Sequence, residues 1–455
     1  MGFFAILLLL LLRTCSTPHA SFLFRSNTLS PACRTLATAE KLVNNVELAR
    51  AISLDVSSES ALDAALADHD LVISLIPYSH HATVIESAIR TKTNVVTTSY
   101  VSPAMQALDQ RCRDAGITVM NEMGVDPGLD HLYAVKTIHE VHEAGGKILS
   151  FLSYCGGLPA PENSDNPLGY KFSWSARGVL QVMANQASFL QDGKQVTIEG
   201  KDLMAAARPY FIYPGFSFIA YPNRDSTPYA ERYNIPEAST IIRGTLRYQG
   251  FPQFARTLVD LGFITDTPVD ALKEAAAANR QMPWCEVTAA VVGAASSSAE
   301  DLTTAIQKKT KFSSDEEADR ILAGLRWIGM YSSDKITIRG NGSPLDTLCG
   351  VLEPMMAYEE GERDMIMLQH KFEIEHANGS LETRTSTIVE YGVPGGYSAM
   401  AKLVGVPCAV TVLQVLNGKL SQKGVLAPMS WDVVQPLLEE LDQKYGIRLS
   451  EKTVA

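Results

Sequence analysis

The chain has 455 residues, of which 46% are hydrophobic and 20% charged, a composition that gives two or three domains enough apolar material for their cores. Its formal net charge is −11 and no block of five or six Lys and Arg residues occurs, which argues against a nucleic-acid or membrane partner. The seven cysteines are scattered, without a CxxC pair, and the nine histidines lack metal-binding spacing, so the sequence indicates a reduced, intracellular protein with no metal site.

The first thirty residues do not resemble the rest of the chain. An unbroken apolar run over residues 3–12 precedes a Ser- and Thr-rich stretch, and no Asp or Glu occurs before Glu40. The run is too short to span a bilayer, which takes about 20 apolar residues. It fits a signal peptide with a cleavage site before Ser21, although no Lys or Arg precedes the apolar run as a signal peptide requires. The segment also fits a transit peptide or a divergent N-terminus on a cytosolic enzyme. A cytoplasmic location is expected.

From residue 31 onward, short apolar runs alternate with helical patterns. Strands are predicted over residues 51–56, 71–76, 94–100 and 117–120, and helices over residues 61–67, 82–89 and 103–115. Helices of this length between strands require right-handed crossovers and a parallel sheet. The predicted fold class is therefore α/β with a Rossmann-like, doubly wound sheet, in which residues 3–12 can take the position of the first strand.

Ligands of doubly wound folds bind beyond the carboxyl ends of the strands. In this sequence those ends carry Cys33, Arg34 and Thr35, then Asp55 and Val56, Ile76, Thr98, Ser99 and Tyr100, and finally Val125, Asp126 and Pro127. NAD enzymes usually have Asp or Glu at the end of the second strand to accept from the ribose 2′-OH, whereas a 2′-phosphate needs a cation. Arg34 has the fork of donors that suits a phosphate, so the predicted cofactor is NADP.

The phosphate-binding turn expected before Cys33 is missing. Such folds place a strand, a GxGxxG turn and a helix there, and the helix N-terminus holds the pyrophosphate. After Gly2 the chain has no glycine until Gly116. Two functional interpretations follow, an active enzyme whose N-terminus is altered or a homologue impaired in cofactor binding.

From residue 32 onward, the sequence resembles the fungal saccharopine dehydrogenases of the NADP-dependent, glutamate-forming type, also called saccharopine reductases. The stretches that carry the resemblance include MNEMGVDPGLDHLYAVKTI (120–138), FLSYCGGLPAPE (151–162), DNPLGYKFSWSARGVL (165–180), YPNRDSTPY (221–229) and RGTLRYQGFPQF (243–254). The likeness covers roughly residues 31–455. The first thirty residues depart from the family, which has a strand and a Gly-Ser-Gly turn there.

The resemblance implies a lysine-biosynthetic enzyme that joins glutamate to α-aminoadipate semialdehyde and reduces the product with NADPH to saccharopine. It implies an NADP-binding domain over residues 31–130, completed by residues 395–455, and an α/β substrate and dimerisation domain over residues 131–255 and 345–394. A small helical domain is expected over residues 256–344. The expected partners are small-molecule substrates and a second copy of the chain.

Saccharopine carries three carboxylates and a secondary amine, so its site needs fixed cations and a group that handles a proton. Arg224 and Arg247 lie in short segments with few other charges, and either suits a carboxylate. The resemblance implies substrate contacts for Ser99, Tyr100, Asp126, Arg224, Thr245, Leu246 and Arg247, proton handling by Tyr100, Asp126 or Cys155, and a place near the nicotinamide for Ser175. Asp126 before Pro127-Gly128 also suits a plain turn, and Tyr100 and Cys155 also suit packing.

Overall fold

The computed structural model describes residues 5–10, 27–43 and 48–454. Two large sheets dominate this part of the chain. One is a seven-stranded parallel sheet near the N-terminus, and the other is a nine-stranded mixed sheet built mainly from later residues.

The parallel sheet has the strand order β17-β6-β5-β4-β1-β2-β3, and each neighbouring pair is parallel. Its strands are β1 Ala5–Leu10, β2 Thr28–Cys33, β3 Ile52–Ser53, β4 Leu71–Leu75, β5 Asn94–Thr97, β6 Thr118–Met120 and β17 Gly424–Leu426. The first six strands follow the 3-2-1-4-5-6 order of a dinucleotide-binding fold. The predicted doubly wound sheet is confirmed.

The apolar run at the N-terminus supplies the central strand of this sheet. β1 pairs with β2 on one side and with β4 on the other, and the buried Leu8 lies opposite Pro31 and Ile73. The expectation that residues 3–12 take the first strand's position is therefore confirmed over Ala5–Leu10. The turn that follows, and the candidate cleavage site before Ser21, lie outside the described residues.

The helices of the first domain cover the sheet with small apolar faces. They are α1 Leu36–Val43, α2 Glu59–Ala67, α3 His81–Thr91, α4 Pro103–Gln106 and α5 Asp109–Ala115. Leu62 and Leu66 of α2 are fully buried, because a spacing of four residues places both on the face toward the sheet. The helix expected over residues 103–115 is divided in two.

The second sheet has the order β10-β11-β12-β7-β15-β16-β18, and β8 pairs with β12 and β9. Its strands are β7 Lys147–Pro159, β8 Ala187–Gln191, β9 Lys194–Ile198, β10 Arg208–Pro209, β11 Phe218–Pro222, β12 Thr240–Tyr248, β15 Asp364–Glu375, β16 Leu381–Tyr391 and β18 Ser450–Thr453. β12 and β7 run parallel, and β15 runs antiparallel to β7. The carboxyl-terminal half of β12 thereby lies beside Cys155.

Helices surround this sheet and form a separate group beside it. Those nearest the sheet are α6 Leu129–Glu143, α7 Ala176–Gln181, α8 Gly200–Leu203 and α9 Tyr229–Arg232. The group beside it comprises α10 Phe251–Leu261, α11 Asp270–Ala277, α12 Trp284–Val292, α13 Ala299–Lys309, α14 Asp315–Trp327 and α15 Pro344–Met355, with a short ladder of β13 Met282–Pro283 and β14 Lys335–Ile336. Among the described residues, single 3-10 turns also occur at Tyr78–His80, Pro161–Asn163, Val182–Ala184 and Met204–Ala206.

The C-terminal segment returns to the first domain and then leaves it. It consists of α16 Ala399–Leu416, β17, α17 Trp431–Tyr445 and β18. β17 extends the parallel sheet beside β6, whereas β18, expected in the first domain, pairs with β16 of the second sheet. α16 is long and apolar enough to cross a bilayer, but 72% of it is buried inside the protein. The helix continues through Pro407 without a break.

Candidate functional site

The cofactor candidates at the ends of β2 and β3 lie at one edge of the parallel sheet. Cys33 is buried, whereas Arg34, Thr35 and Asp55 are exposed beyond the strand ends. Asp55 accepts hydrogen bonds from the hydroxyl of Ser57 at 2.6 Å and from its backbone N–H at 3.0 Å. These bonds lower the pKa of Asp55, with a smaller contribution from the positive charge of Arg34. An exposed guanidinium at this position fits a 2′-phosphate.

A buried histidine joins the ends of the next two strands. His81 Nδ1 lies 2.9 Å from the hydroxyl of Ser74, and its Nε2 lies 2.9 Å from the hydroxyl of Ser99. Burial lowers the pKa of His81 to about 4, so the ring is neutral near pH 7 and one nitrogen donates while the other accepts. His81 thereby fixes the hydroxyl of the candidate Ser99. The adjacent candidates Ile76 and Thr98 are buried and half-buried respectively.

A tight loop after β6 presents Asp126. The Asp126-Pro127 peptide is cis, and Gly128 has φ +147°. A Cβ atom on Gly128 would lie 2.0 Å from the carbonyl oxygen of Gly124, so only glycine fits. Val125 and Pro127 are buried while Asp126 is half-buried, so the loop anchors itself with its apolar residues and offers the carboxylate.

Asp126 forms a compact polar group with Tyr100 and with an arginine that the sequence analysis did not select. The Tyr100 hydroxyl donates to Asp126 Oδ1 at 2.8 Å. Arg243 Nη2 donates to the same oxygen at 2.8 Å and to the Tyr100 hydroxyl at 3.1 Å. The strand period offered a signal for it, because Arg243 precedes Thr245 and Arg247 at intervals of two on β12.

A second layer of buried charge lies behind Asp126. Arg243 Nη2 also donates to Asp130 Oδ2 at 2.5 Å, and Asp130 accepts from the Gly128 N–H at 2.6 Å. His131 contacts Asp130 at 3.4 Å and Glu122 at 2.8 Å, and its Nδ1 lies 2.6 Å from the Tyr233 hydroxyl. Asp130, His131, Glu122 and Tyr233 are each 3% exposed or less, and Arg243 is 7% exposed. Charged groups that are buried this close together are stable only when they are paired and hydrogen-bonded, as these contacts are.

Cys155 lies on β7 directly opposite Thr245 of β12. Its side chain is buried, and burial raises the pKa of the thiol, to which the negative charges of Asp126 and Asp130 add. Cys155 is therefore a neutral thiol near pH 7 and not a thiolate.

The two candidate arginines for carboxylate binding lie in different environments. Arg224 is exposed, has φ +59° and places Cζ 5.1 Å from the centre of the Tyr100 ring. Arg247 is only 4% exposed, and its Cζ lies 4.8 Å from the Tyr170 ring and 5.2 Å from the Phe251 ring. Its Nη1 donates to the Leu246 carbonyl at 2.8 Å, and its Nε has no partner. No Asp or Glu of the described residues forms an ion pair with it.

A cleft of about 1160 Å³ opens between the end of β4 and the second domain. Its wall includes two candidates for the cofactor site, Ile76 and Ser175, together with Trp174, Tyr358 and Asp364. The Ser175 hydroxyl accepts from the Gly178 N–H at 3.2 Å and so begins α7. Ser175 and Ile76 thus line the same cleft, which is large enough for a ligand.

A doubly wound sheet with a cation beyond its second strand, next to a cleft and a half-buried Tyr–Asp pair, fits a nicotinamide-dependent oxidoreductase. The sequence matches two family descriptions, "Saccharopine dehydrogenase NADP binding domain" over residues 16–120 and "Saccharopine dehydrogenase C-terminal domain" over residues 124–447. The chain therefore belongs to the saccharopine dehydrogenase family.

Comparison with individual relatives shows which type of saccharopine dehydrogenase the chain is similar to. It is 64% identical over 427 residues to the saccharopine dehydrogenase [NADP(+), L-glutamate-forming] of Pyricularia oryzae, covering 93% of each chain. It is 57% identical over 430 residues to that of Schizosaccharomyces pombe, covering 94% of each. The solved apo structure of the Saccharomyces cerevisiae enzyme superposes with a TM-score of 0.89 at 54% identity and covers 99% of this chain and 100% of that one. These likenesses favour the active enzyme, and they give no support to an impaired homologue.

Proposed function

We propose that the chain interconverts saccharopine, NADP⁺ and water with L-glutamate, L-2-aminoadipate 6-semialdehyde and NADPH, as a step of lysine biosynthesis. The observation that carries this proposal within the site is Arg247. A buried guanidinium without an acidic partner is costly, and an anionic ligand would compensate it. Saccharopine supplies three carboxylates. Arg224, near the Tyr100 ring, is the second cation within reach of the same substrate.

The residues that we assign to the substrate include the Tyr100–Asp126 pair. They are Ser99, Tyr100, Asp126, Arg224, Thr245, Leu246 and Arg247. The Leu246 side chain is fully buried, so its contact is assigned to the backbone. The residues that we assign to the cofactor follow the strand ends and the cleft, and they are Cys33, Arg34, Thr35, Asp55, Val56, Ile76, Thr98, Ser99, Val125, Asp126, Pro127 and Ser175.

Oxidation of saccharopine removes a hydride from the side-chain CH2 that becomes the aldehyde carbon of the semialdehyde, and a proton from the neighbouring secondary amine. When bound, NADP⁺ accepts the hydride. Asp126 takes the nitrogen proton, and the Tyr100 hydroxyl, 2.8 Å away, stabilises the carboxylate before the transfer. Water then adds to the resulting C=N bond, the C–N bond breaks, and the aldehyde and the amine of glutamate are released. Cys155, a buried thiol whose pKa is raised, is assigned as a third candidate for proton handling.

Two further properties complete the proposal. We assign the protein to the cytoplasm, supported by the free thiols of Cys33, Cys112, Cys155, Cys285 and Cys349 in the part of the chain that the structure describes. We assign a homodimer, supported by large apolar side chains left on the surface of the second domain, such as Phe211 at 73% and Leu381 at 70% exposed. Light scattering after size-exclusion chromatography tests the dimer, and a mass of 49.5 kDa would contradict it.

The catalytic proposal is tested by following absorbance of NADPH in both directions with the purified chain. We expect NADPH to appear only when saccharopine and NADP⁺ are both present, and to be consumed when glutamate and the semialdehyde are supplied. Replacement of saccharopine by lysine or glutamate alone is the matched control. A chain that binds NADP(H) but turns over neither substrate set would contradict the proposal.

A further inference from the structure

Arg243 is the most constrained cation of the site. Its side chain is buried, and its single Nη2 atom donates to three oxygens, those of Tyr100 at 3.1 Å, Asp126 at 2.8 Å and Asp130 at 2.5 Å. Its Nη1 donates to the Tyr229 hydroxyl at 2.5 Å, and the guanidinium lies 4.4 Å from the centre of that ring. Partners on both terminal nitrogens, Nη1 and Nη2, and an aromatic ring on one face hold the group in a single orientation.

Arg243 also joins the two parts of the molecule that carry the site. It projects from β12 of the second sheet, whereas Tyr100 and Asp126 follow β5 and β6 of the parallel sheet. Asp130 accepts from the N–H of Gly128, so the contact of Arg243 with Asp130 also fixes the loop that holds Asp126. One cation thus sets both the charge and the position of the candidate base.

We propose that Arg243 is a positioning residue for proton transfer, which keeps Asp126 ionised and aligned with the Tyr100 hydroxyl while Asp130 acts as the fixed counter-charge. The inference rests on the function proposed above. It assigns distinct tasks to two carboxylates four residues apart, Asp126 as the one that exchanges a proton and Asp130 as the one that stays charged. Two carboxylates that share one site separate in this way when their environments differ.

The groups that face Asp126 come from four elements. They are Tyr100 after β5, Asp130 and His131 on α6, Arg243 on β12 and Cys155 on β7. Burial and then the charge of Asp130 raise the pKa of Asp126, which Arg243, Tyr100 and His131 oppose. Burial also acts to raise the pKa of Asp130, but His131, Arg243 and the Gly128 N–H outweigh it and lower that pKa. The geometry and the charges therefore give the same division of tasks.

Three substitutions test the assignment through the pH profile of saccharopine oxidation. In that direction the ionised base is active, so activity falls as pH drops through its pKa. Arg243→Gln removes the positive charge and should move the acidic limb of kcat/KM upward by about one pH unit or more. Asp130→Asn removes the neighbouring negative charge and should move the same limb downward. Shifts of opposite sign are the signature of the proposed pair, and a merely structural role predicts neither.

Arg243→Lys keeps the charge but loses the fork of donors. We expect kcat to fall on the order of a hundredfold, the scale of a misplaced general base, while KM for saccharopine changes less than about threefold. Arg232→Lys is the matched control. Arg232 is a partly buried arginine that also lies beside the Tyr229 ring, at 4.9 Å, but it binds Glu122 and not Asp126. This control variant should change neither kcat nor the pH profile. An unchanged kcat in Arg243→Lys would overturn the inference.

A measurement on the resting protein keeps the inference separate from the proposed function. The infrared carboxyl band of Asp126 is identified by its loss in Asp126→Asn and is titrated in the wild type, in Arg243→Gln and in Asp130→Asn. An upward shift of its midpoint in the first variant, or a downward shift in the second, supports the inference even if saccharopine is not turned over. An unmoved midpoint in both variants, or in Asp130→Asn if the arginine variants do not fold, overturns it.

Discussion

Glu122 is fully buried, and its replacement tests whether the charge cluster behind the site stabilises the fold. Its Oε2 lies 2.8 Å from His131 Nε2, and its Oε1 accepts from Arg232 Nη2 at 2.8 Å and from the Val101 N–H at 3.1 Å. Burial alone would raise the pKa of Glu122, but these contacts outweigh it and lower the pKa to about 2 from an ordinary 4.5.

The lowered pKa sets the size of the effect. Since each tenfold change in proton affinity corresponds to about 1.4 kcal/mol, the ionised Glu122 contributes about 3 kcal/mol to the free energy of unfolding. Breaking a buried ion pair from one side costs a similar amount, about 3–5 kcal/mol. Glu122→Gln should therefore lower the free energy of unfolding by about 3 kcal/mol near pH 7. Gln keeps the shape of the side chain at a residue with φ +60°.

The pH dependence has a definite sign. A carboxyl whose pKa is lower in the folded state stabilises above its unfolded pKa of about 4.5, and this contribution is lost as pH falls toward 2. The difference between wild type and Glu122→Gln should thus be full at pH 6 and shrink between about pH 4.5 and 2. Urea unfolding followed by circular dichroism measures it.

Glu86→Gln is the control for this experiment. Glu86 pairs with Arg111 at 3.7 Å, and their side chains are 47% and 53% exposed. Such surface pairs contribute about 0–1 kcal/mol, so this variant should unfold nearly as the wild type does. A loss below about 1 kcal/mol in Glu122→Gln, or a difference that stays constant from pH 6 to 3, would refute the reasoning.

Three other substitutions test the binding sites and the loop. Arg34→Asp should narrow or invert the preference for NADP over NAD, measured as the ratio of kcat/KM values, and equal use of both cofactors by the wild type would show that Arg34 does not bind the 2′-phosphate. Arg247→Ala should weaken saccharopine binding at least tenfold in calorimetry, because truncating a buried charged partner costs about 2–5 kcal/mol. Its affinity for NADPH should stay unchanged. Arg224 is exposed, so Arg224→Ala should lose less affinity for saccharopine. Gly128→Ala should lower the melting temperature and kcat together, since its Cβ would overlap the Gly124 carbonyl; wild-type melting would contradict the strained conformation.

The sequence predicted the parallel sheet well because its signals are local. Buried strands such as Leu71–Leu75 are short apolar runs with helical patterns between them, and the apolar run at the N-terminus fills the remaining position. The end of the chain was harder to assign, since pairing between β18 and β16 depends on contacts between distant residues. A pattern of polar residues gives no signal for such a partner.

The candidate site was predicted in part for the same reason. Asp126 and Tyr100 end strands, and the structure brings their side chains together. His81 and Arg243 were missed because each gains its role from partners on other elements, Ser74 with Ser99 for the histidine and the two carboxylates for the arginine. Arg224 and Arg247 look alike in the sequence, and only burial separates them.

The return of the chain to its first domain has a consequence for synthesis. The strand Gly424–Leu426 pairs with β6, and the hydroxyl of Thr118 donates to the Gln422 carbonyl across 304 residues of sequence. At translation rates of about 5–20 residues per second, on the order of 15–60 seconds pass between the synthesis of β6 and that of its neighbouring strand Gly424–Leu426. During that interval its edge is open to pairing with other chains. A ribosome that stops early thus releases a product whose first domain lacks an edge strand, and such a fragment should be recognised by chaperones and degraded.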